Sequence, residues 1–273
     1  MSAPSVVVSG AFDNAGSAGL RFLQEAAKLG DVTVLLWPDE AVRLLAGRTP
    51  GFPFSERAYF LRAVRYVHDV KAASGVMEGE GLALAAGFRA QVWADQEGPA
   101  NNARWTWCER HGIQYHIIPA KQLEGFPEAT PKPALPGRKK VMVTGCYDWL
   151  HSGHVRFFEE VSQYGDLYVV VGHDANIRVL KGPGHPLLSQ DERRYLVGSI
   201  RYVRQALISS GNGWLDAEPE IERIQPDIYA VNDDGDRGGK REYCAQRSIE
   251  YLVLKRTPAP GLPNRTSTEL RGF

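Results

Sequence analysis

The chain has 273 residues, 43% of them hydrophobic, and its 32 lysines and arginines balance 32 aspartates and glutamates. This length can bury two ordinary cores, and the balanced charge gives no reason to expect nucleic acid or an anionic membrane as a partner. Three cysteines do not make a disulfide framework. No apolar run approaches the roughly 20 residues of a membrane span, and the N-terminus carries no secretion signal. We therefore expect a soluble protein of the reducing cytoplasm.

The chain contains two similar stretches offset by 135 residues, an alignment that pairs Gly10 with Gly145. Farther along, "ERAYFLRAVRYV" (56–67) and "ERRYLVGSIRYV" (192–203) are identical at six of twelve positions. A repeat of this length is the size of a domain. We therefore predict two tandem domains, over 1–123 and 141–273. The segment 124–140 between them contains four prolines and is predicted to be a stiff linker.

Each predicted domain has the same order of elements. A short apolar strand enters a glycine-containing loop (10–19 or 145–154), an amphipathic helix follows, and further strands alternate with helices. The predicted strands are 6–9, 31–37, 90–94 and 114–118 in the first domain, and 141–144, 166–172, 227–231 and 250–254 in the second. Such alternation predicts an α/β fold, a mostly parallel sheet with helices on both faces. Ligands of these sheets bind at the carboxyl ends of the strands, where both loops lie.

The loop "GCYDWLHSGH" (145–154) contains two histidines, His151 and His154. If a helix begins near Ser152 or Gly153, the two imidazoles lie about one turn apart and can face the same side. They then crowd a helix N-terminus, which favours an anion, and Gly153 lets a bulky ligand approach the backbone. The pattern fits phosphate binding, two surface histidines, or a metal site with Cys146 as the nearest further ligand.

Two later stretches also suit phosphate. "LKGPGHP" (180–186) puts Lys181 on a predicted glycine-rich turn, from which its ammonium can reach a phosphate, although an ordinary exposed lysine fits as well. "RTSTELR" (265–271) predicts the start of a helix, with Ser267 or Thr268 as the cap before Glu269. This helix start is either a second phosphate site or a plain cap.

Together, these stretches resemble the motifs of the nucleotidyltransferase superfamily that includes the glycerol-3-phosphate, choline-phosphate and ethanolamine-phosphate cytidylyltransferases. The family signature G-x-[FY]-D-x-x-H-x-G-H matches "GCYDWLHSGH", and "LKGPGHP" is similar to the family's lysine loop. The family's closing R-T-E-G-I-S-T-T is stretched here, because "PAPGLPNRT" separates Arg256-Thr257 from Ser267-Thr268. Either Arg256 or Arg265 therefore matches the phosphate-contacting arginine. The resemblance covers about 140–271.

The resemblance implies two tandem Rossmann-like nucleotidyltransferase domains. It also implies that a substrate phosphate attacks the α-phosphorus of CTP, with Mg²⁺ assistance and release of pyrophosphate. His151 and His154 would stabilise the transition state, and Lys181 would hold phosphates. The implied nucleotide-binding residues are Gly145, Cys146, Tyr147, Asp148, Gly153, Asp233, Asp234, Arg256, Arg265, Ser267 and Thr268. Asp233 or Asp234 would accept a hydrogen bond from the cytosine amine, and Arg201 would lie near the phosphates or a subunit interface.

Three functions stay open at this point. The first is transfer of CMP from CTP to a phosphorylated small molecule. The second is adenylyl transfer from ATP to a sugar phosphate or similar acceptor, because "LKGPGHP" is equally close to the L-K-G-x-x-R-P of heptose-phosphate adenylyltransferases, with His185 in place of the arginine. The third is nucleotide-binding regulation without turnover.

The first copy lacks the residues that carry the chemistry. Gly16 and Gly19 occupy the two histidine positions, and Ala46 occupies the lysine position. Both copies keep an R-Y-V segment, at 65–67 and 201–203, which the resemblance places near a two-fold dimer contact. We therefore expect an intramolecular pseudo-dimer in which the first copy binds no nucleotide.

Overall fold

A computed structural model describes residues 3–73, 90–99, 101–131 and 135–271. The chain divides into two compact units, Met1–Gly125 and Phe126–Phe273. Within the described residues, each unit has a five-stranded sheet whose strands pair in parallel. The predicted α/β fold class is confirmed. No helix in these ranges is long and apolar enough to cross a membrane.

The first unit follows the predicted order of elements and adds a short strand. Its strands are β1 (Ser5–Gly10), β2 (Asp31–Leu36), β3 (Asp69–Ala72), β4 (Val92–Gln96) and β5 (Gln114–Ile118). Its α-helices are α1 (Ser17–Ala26), α2 (Asp39–Ala46), α3 (Phe54–Ala63) and α4 (Asn102–Arg110). The order of strands across the sheet is β3-β2-β1-β4-β5.

The second unit has the same arrangement. Its strands are β6 (Lys140–Gly145), β7 (Asp166–Val171), β8 (Val203–Ile208), β9 (Ile228–Asn232) and β10 (Glu250–Leu254). Its α-helices are α5 (Ser152–Val161), α6 (Asp174–Lys181), α7 (Gln190–Gly198), α8 (Glu218–Ile224), α9 (Lys240–Gln246) and α10 (Ser267–Arg271). The strand order is β8-β7-β6-β9-β10 when read in the same direction as that of the first unit, so β8 corresponds to β3 and β10 to β5.

Strand β6 is the central strand of the second unit. Val141, Met142 and Val143 are all fully buried, as expected for a strand covered on both faces. Met142 belongs to a core cluster with Ile221 of α8 and Cys244 of α9, while its two neighbours point to the opposite face. The chain runs from β6 to β7 on one side and later returns to β9 on the other. This reversal opens a crevice at the carboxyl end of β6, the usual ligand site of such sheets.

Residues 126–128 of the predicted linker belong to the second unit and contact α7. The ring of Phe126 lies 6.0 Å from that of Tyr195 on α7, centroid to centroid. The Arg194 guanidinium donates to the Phe126 carbonyl (3.1 Å) and pairs with Glu128. These contacts hold residues 126–128 against α7.

Candidate active site

The loop after β6 needs a glycine and a left-handed residue. Tyr147 has φ 52° and is buried, and its ring lies over Gly145. A Cβ added to Gly145 would lie 2.8 Å from the Tyr147 ring, so a side chain there would displace the tyrosine. The first unit repeats this arrangement, because Phe12 has φ 44° and covers Gly10. The two predicted nucleotide-binding residues Gly145 and Tyr147 therefore shape the loop.

His151 caps helix α5. Its Nδ1 accepts a hydrogen bond from the backbone N–H of Gly153 at 3.1 Å, which leaves the imidazole proton on Nε2. A Cβ added to Gly153 would lie 2.9 Å from Cε1 of this imidazole. Gly153 was predicted to admit a ligand. In the structure it makes room for the capping histidine.

The two histidines lie together at the start of α5. Their ring centroids are 3.9 Å apart, and the Tyr147 ring meets His154 edge-on at 5.2 Å. In the described part of the chain, Nε2 of His151 and Nδ1 of His154 are buried without a hydrogen-bond partner. A ligand that reached the start of α5 and supplied hydrogen-bonding groups would satisfy both polar atoms.

Burial keeps both imidazoles neutral. It lowers the pKa of His151 to about 3, with help from the positive charges of Arg256 and Arg265. Burial also lowers the pKa of His154 well below its usual value, and the charges of Arg256 and Lys181 act in the same direction. Each neutral ring keeps one N–H donor. An anionic ligand in contact with the pair would raise both pKa values, because it favours the protonated form.

Asp148 positions the loop that follows Lys181. One carboxylate oxygen of this buried residue accepts hydrogen bonds from the backbone N–H groups of Leu187 (2.6 Å) and Leu188 (3.0 Å). Asp13 of the first unit holds its own loop in the same way, through two backbone N–H groups at 3.0 Å. This shared role explains why the aspartate occurs in both copies.

Lys181 is placed differently from the prediction. It is the last residue of α6, and the glycine-rich turn starts after it at Gly182, whose φ is 84°. The prediction that Lys181 lies on the turn was wrong, because the helix continues through Lys181 and the first residue of positive φ in this stretch is Gly182. Its exposed ammonium is close enough to help lower the pKa of His154 and to oppose the rise that burial causes in the pKa of Cys146.

A buried arginine that sequence analysis passed over supports the site. Arg193 of α7 is fully buried. Its guanidinium donates to the Leu188 carbonyl (3.0 Å), the Cys146 carbonyl (2.7 Å) and the Asp174 carboxylate (2.6 Å). Arg57 makes the equivalent bonds in the first unit. The signal was present in the shared E-R-x-Y sequence, but a charged pair on a helix usually indicates an exposed face.

The stretch before α10 was predicted correctly as a helix start, but its cap is Thr266. The Thr266 hydroxyl accepts from the Glu269 N–H (3.2 Å), and the Glu269 carboxylate accepts from the Thr266 N–H (3.1 Å). This reciprocal pair is a capping box, which satisfies two N–H groups at once. The prediction that Ser267 or Thr268 is the cap was wrong. The Ser267 hydroxyl donates to the Trp149 carbonyl at 3.4 Å, and the Thr268 side chain lies outside the described residues.

Arg256 and Asp234 form an ion pair at the carboxyl end of the sheet. The Arg256 guanidinium also donates to the backbone carbonyl of Arg265 at 3.1 Å. Arg256 therefore faces the crevice, while Arg265 contributes a backbone acceptor and a charge near His151.

A cavity of about 240 Å³ joins these elements. The predicted site residues that line it are Gly145, Cys146, Tyr147, Asp148, Gly153, His154, Lys181, Asp234, Arg256 and Ser267. Its other lining residues are Thr144, Phe157, His185, Ala230, Val231, Asn232, Gly235 and Lys240. The predicted residues His151, Asp233, Arg201 and Arg265 lie outside this lining. In the described ranges, no group of three or more histidine, cysteine or acidic side chains is arranged to hold a metal.

A parallel α/β sheet with a histidine pair at a helix N-terminus and cationic groups in its crevice defines a Rossmann-like nucleotidyltransferase domain. The family model "Cytidylyltransferase-like" matches residues 142–266. The FAD synthase of Ferroglobus placidus is 34% identical over 120 residues, which cover 43% of this chain and 75% of that protein. The chain belongs to the cytidylyltransferase-like nucleotidyltransferase family.

Other relatives match a similar share of the chain. The FAD synthase of Aciduliprofundum boonei is 34% identical over 119 residues, or 76% of its length. The bifunctional protein HldE of Syntrophotalea carbinolica is 33% identical over 99 residues, but the match spans only 20% of that protein. Among solved structures, a lipopolysaccharide core biosynthesis protein from Thermoplasma volcanium has 23% identity and a TM-score of 0.38, covering 45% of this chain and 99% of that one.

Proposed function

We propose that the second unit transfers a nucleotidyl group from a nucleoside triphosphate to a phosphorylated small molecule and releases pyrophosphate. The observation that carries this proposal is the cavity in which His154, Lys181 and Arg256 meet at the N-terminus of α5. Cationic groups and a helix N-terminus suit a polyphosphate. The buried histidine atoms without partners suit a ligand with many oxygens.

In this reaction an oxygen of the acceptor phosphate attacks the α-phosphorus, and the bond between that phosphorus and the bridging oxygen of the pyrophosphate breaks. The acceptor phosphate is already a nucleophile, so the chain need not supply a general base. His151 and His154 would donate hydrogen bonds to oxygens on which charge develops, and Lys181 and Arg256 would offset the charge of the leaving pyrophosphate. The donors are held in place by the cap of α5 before the nucleotide arrives.

Magnesium fits this cavity through hard oxygen ligands. Mg²⁺ in such sites takes one or two carboxylates together with substrate phosphates and waters. Asp148 is a lining carboxylate and would hold the ion. When bound with the nucleotide, the ion would neutralise part of the charge on the triphosphate.

The first candidate nucleotide is ATP. The FAD synthase relatives support it, because FAD contains an adenylyl group. CTP is the second candidate, supported by Asp234 in the loop after β9. A carboxylate there can accept a hydrogen bond from the exocyclic amine of cytosine or of adenine, whereas UTP presents a carbonyl. Asp234 therefore favours both candidates over UTP.

Two measurements test the proposal. Thermal unfolding with Mg²⁺ and ATP, CTP or UTP identifies the nucleotide. Pyrophosphate release is then followed over FMN, glycerol 3-phosphate, phosphocholine, phosphoethanolamine and sugar phosphates. Nucleotide binding without release over this panel would favour the regulatory alternative, and no nucleotide binding would contradict the proposal. Because Gly16, Gly19 and Ala46 replace the three central residues in the first unit, calorimetry should give one nucleotide per chain.

A further inference from the structure

Lys240 is a cavity residue that the proposed chemistry has not used. It is the first residue of α9, is half-buried, and lines the cavity that contains His154. Its ammonium donates to the Gly235 carbonyl at 3.1 Å. In the described part of the chain it forms no ion pair. One hydrogen bond leaves most of the hydrogen-bonding capacity of the ammonium unused.

The carboxylates nearest to Lys240 are engaged by other groups. The Asp236 carboxylate accepts from Arg241 at 2.6 Å and from the Tyr251 hydroxyl at 3.0 Å. The Asp216 carboxylate accepts from the Ser209 hydroxyl at 2.6 Å. Burial lowers the pKa of Lys240, and these two carboxylates raise it only in part. A half-buried ammonium without a close counter-charge is stabilised by any anion that reaches it.

Lys240 and Lys181 lie on opposite sides of the central strand β6. Lys181 ends the helix that follows β7, whereas Lys240 begins the helix that follows β9, and these strands flank β6. Lys181 and Arg256 act on the pKa of His154, whereas the charges that act on Lys240 belong to Asp216 and Asp236. The cavity therefore has a lysine on each side of β6, Lys181 on the side of β7 and Lys240 on the side of β9.

We propose that Lys240 binds the phosphate group of the acceptor. This inference rests on the proposed function, because nucleotidyl transfer brings two anionic reactants into one cavity. The histidine side receives the triphosphate, and the ammonium of Lys240 holds the attacking phosphate as a point charge on the other side of β6. Holding the nucleophile in place lowers the entropic cost of bringing the two reactants together. The ligand class at Lys240 is a phosphate monoester.

Inorganic phosphate is the probe for this site. The full chain is saturated with Mg²⁺ and the α,β-methylene analogue of ATP or CTP, in which the bond to be cleaved is blocked, and phosphate is titrated by calorimetry. The wild-type chain should bind one phosphate beside the analogue. Lys240→Met should weaken phosphate binding about tenfold or more, the usual effect of losing a charged hydrogen bond, without changing analogue affinity. Lys240→Arg should retain it.

Lys121→Met, at an exposed lysine of the first unit, is the matched control and should bind both ligands normally. Unchanged phosphate affinity in Lys240→Met overturns the inference, as does phosphate that displaces the analogue or fails to bind the wild-type complex. A purely structural Lys240 would lower the unfolding temperature and leave phosphate affinity intact, which also overturns it. If the analogue itself does not bind, the proposed function fails, and the inference fails with it.

Discussion

The buried histidine pair should make the second unit sensitive to mild acid. The pKa of His151 is lowered to about 3, and that of His154 is also well below its usual value. Burial is the main cause for both, since His151 is only 2% exposed. The folded unit therefore resists protonation of either ring, whereas the unfolded chain does not.

This difference in proton binding means that acid destabilises the second unit. An unfolded histidine titrates near pH 6.5, so below that pH the unfolded chain gains protons that the folded unit does not. Stability is fully present above about pH 6.5 and is lost progressively as the pH falls toward the folded pKa values. Each histidine contributes about 1.4 kcal/mol per pH unit in that window, so the pair should cost roughly 3 kcal/mol at pH 5.5.

The assay is urea unfolding from pH 7.5 to 5.0, read by pulsed hydrogen exchange under fixed pulse conditions. Peptides from β6 and β7 report the second unit, and peptides from β1 and β2 serve as an internal control. The matched variant is His151→Asn with His154→Asn. The amide oxygen of an asparagine at 151 can still accept from the Gly153 N–H, so the helix cap is kept while the titration is removed.

The wild-type second unit should lose stability between pH 7.5 and 5.5, and the double variant should lose roughly 3 kcal/mol less over the same change. Carboxylates that titrate at lower pH are common to both proteins and cancel in the comparison. Equal pH dependence in the two proteins would refute the assignment of buried neutral histidines.

Four further predictions concern single positions. His154→Ala should lower kcat about 10²–10³-fold with the fold intact, measured on whichever substrate pair releases pyrophosphate. Near-normal turnover in this variant would contradict a role of His154 in the reaction. Gly153→Ala, which places a Cβ 2.9 Å from the capping imidazole, should destabilise the second unit by about 1–3 kcal/mol in urea; wild-type stability would contradict the crowding. Arg193→Met should destabilise the same unit by about 3–5 kcal/mol, and Arg57→Met should do so in the first unit; an unchanged midpoint would show that the buried bonds are dispensable. Asp234→Asn should reduce a preference of about tenfold for ATP or CTP over UTP in calorimetry; equal wild-type affinity for all three would exclude base recognition by this loop.

The sequence allowed every strand except β3 and β8 to be predicted, including the edge strands β5 and β10. Strand β6 is fully buried and apolar over residues 141–143, which made it easy to recognise. Strands β3 and β8 lie at sheet edges, where one neighbour is missing and fewer side chains are fully buried. Their short or mixed sequences, "DVKA" and "VRQALI", therefore lack the continuous apolar pattern of a central strand.

The residues of the candidate site were likewise predicted only in part. Residues inside the G-x-[FY]-D-x-x-H-x-G-H stretch were identified because they are consecutive and their spacing on a helix is fixed. Thr144, Phe157 and Lys240 reach the same cavity through the tertiary fold, which no local pattern encodes. The choice of CTP, the domain boundaries, the intramolecular pseudo-dimer and the cytoplasmic location stay predictions.

The loop scaffold and the histidine pair are separable properties of this chain. Asp13 and Arg57 hold the loop of the first unit with the same bonds that Asp148 and Arg193 make in the second. A Cβ at Gly16 or Gly19 would meet its nearest neighbour at 4.0 or 3.9 Å, so the fold leaves room for side chains there. The backbone therefore does not require glycine at either position. One polypeptide carries the same architectural support with and without its reactive groups, an internal comparison that separates what shapes a site from what makes it act.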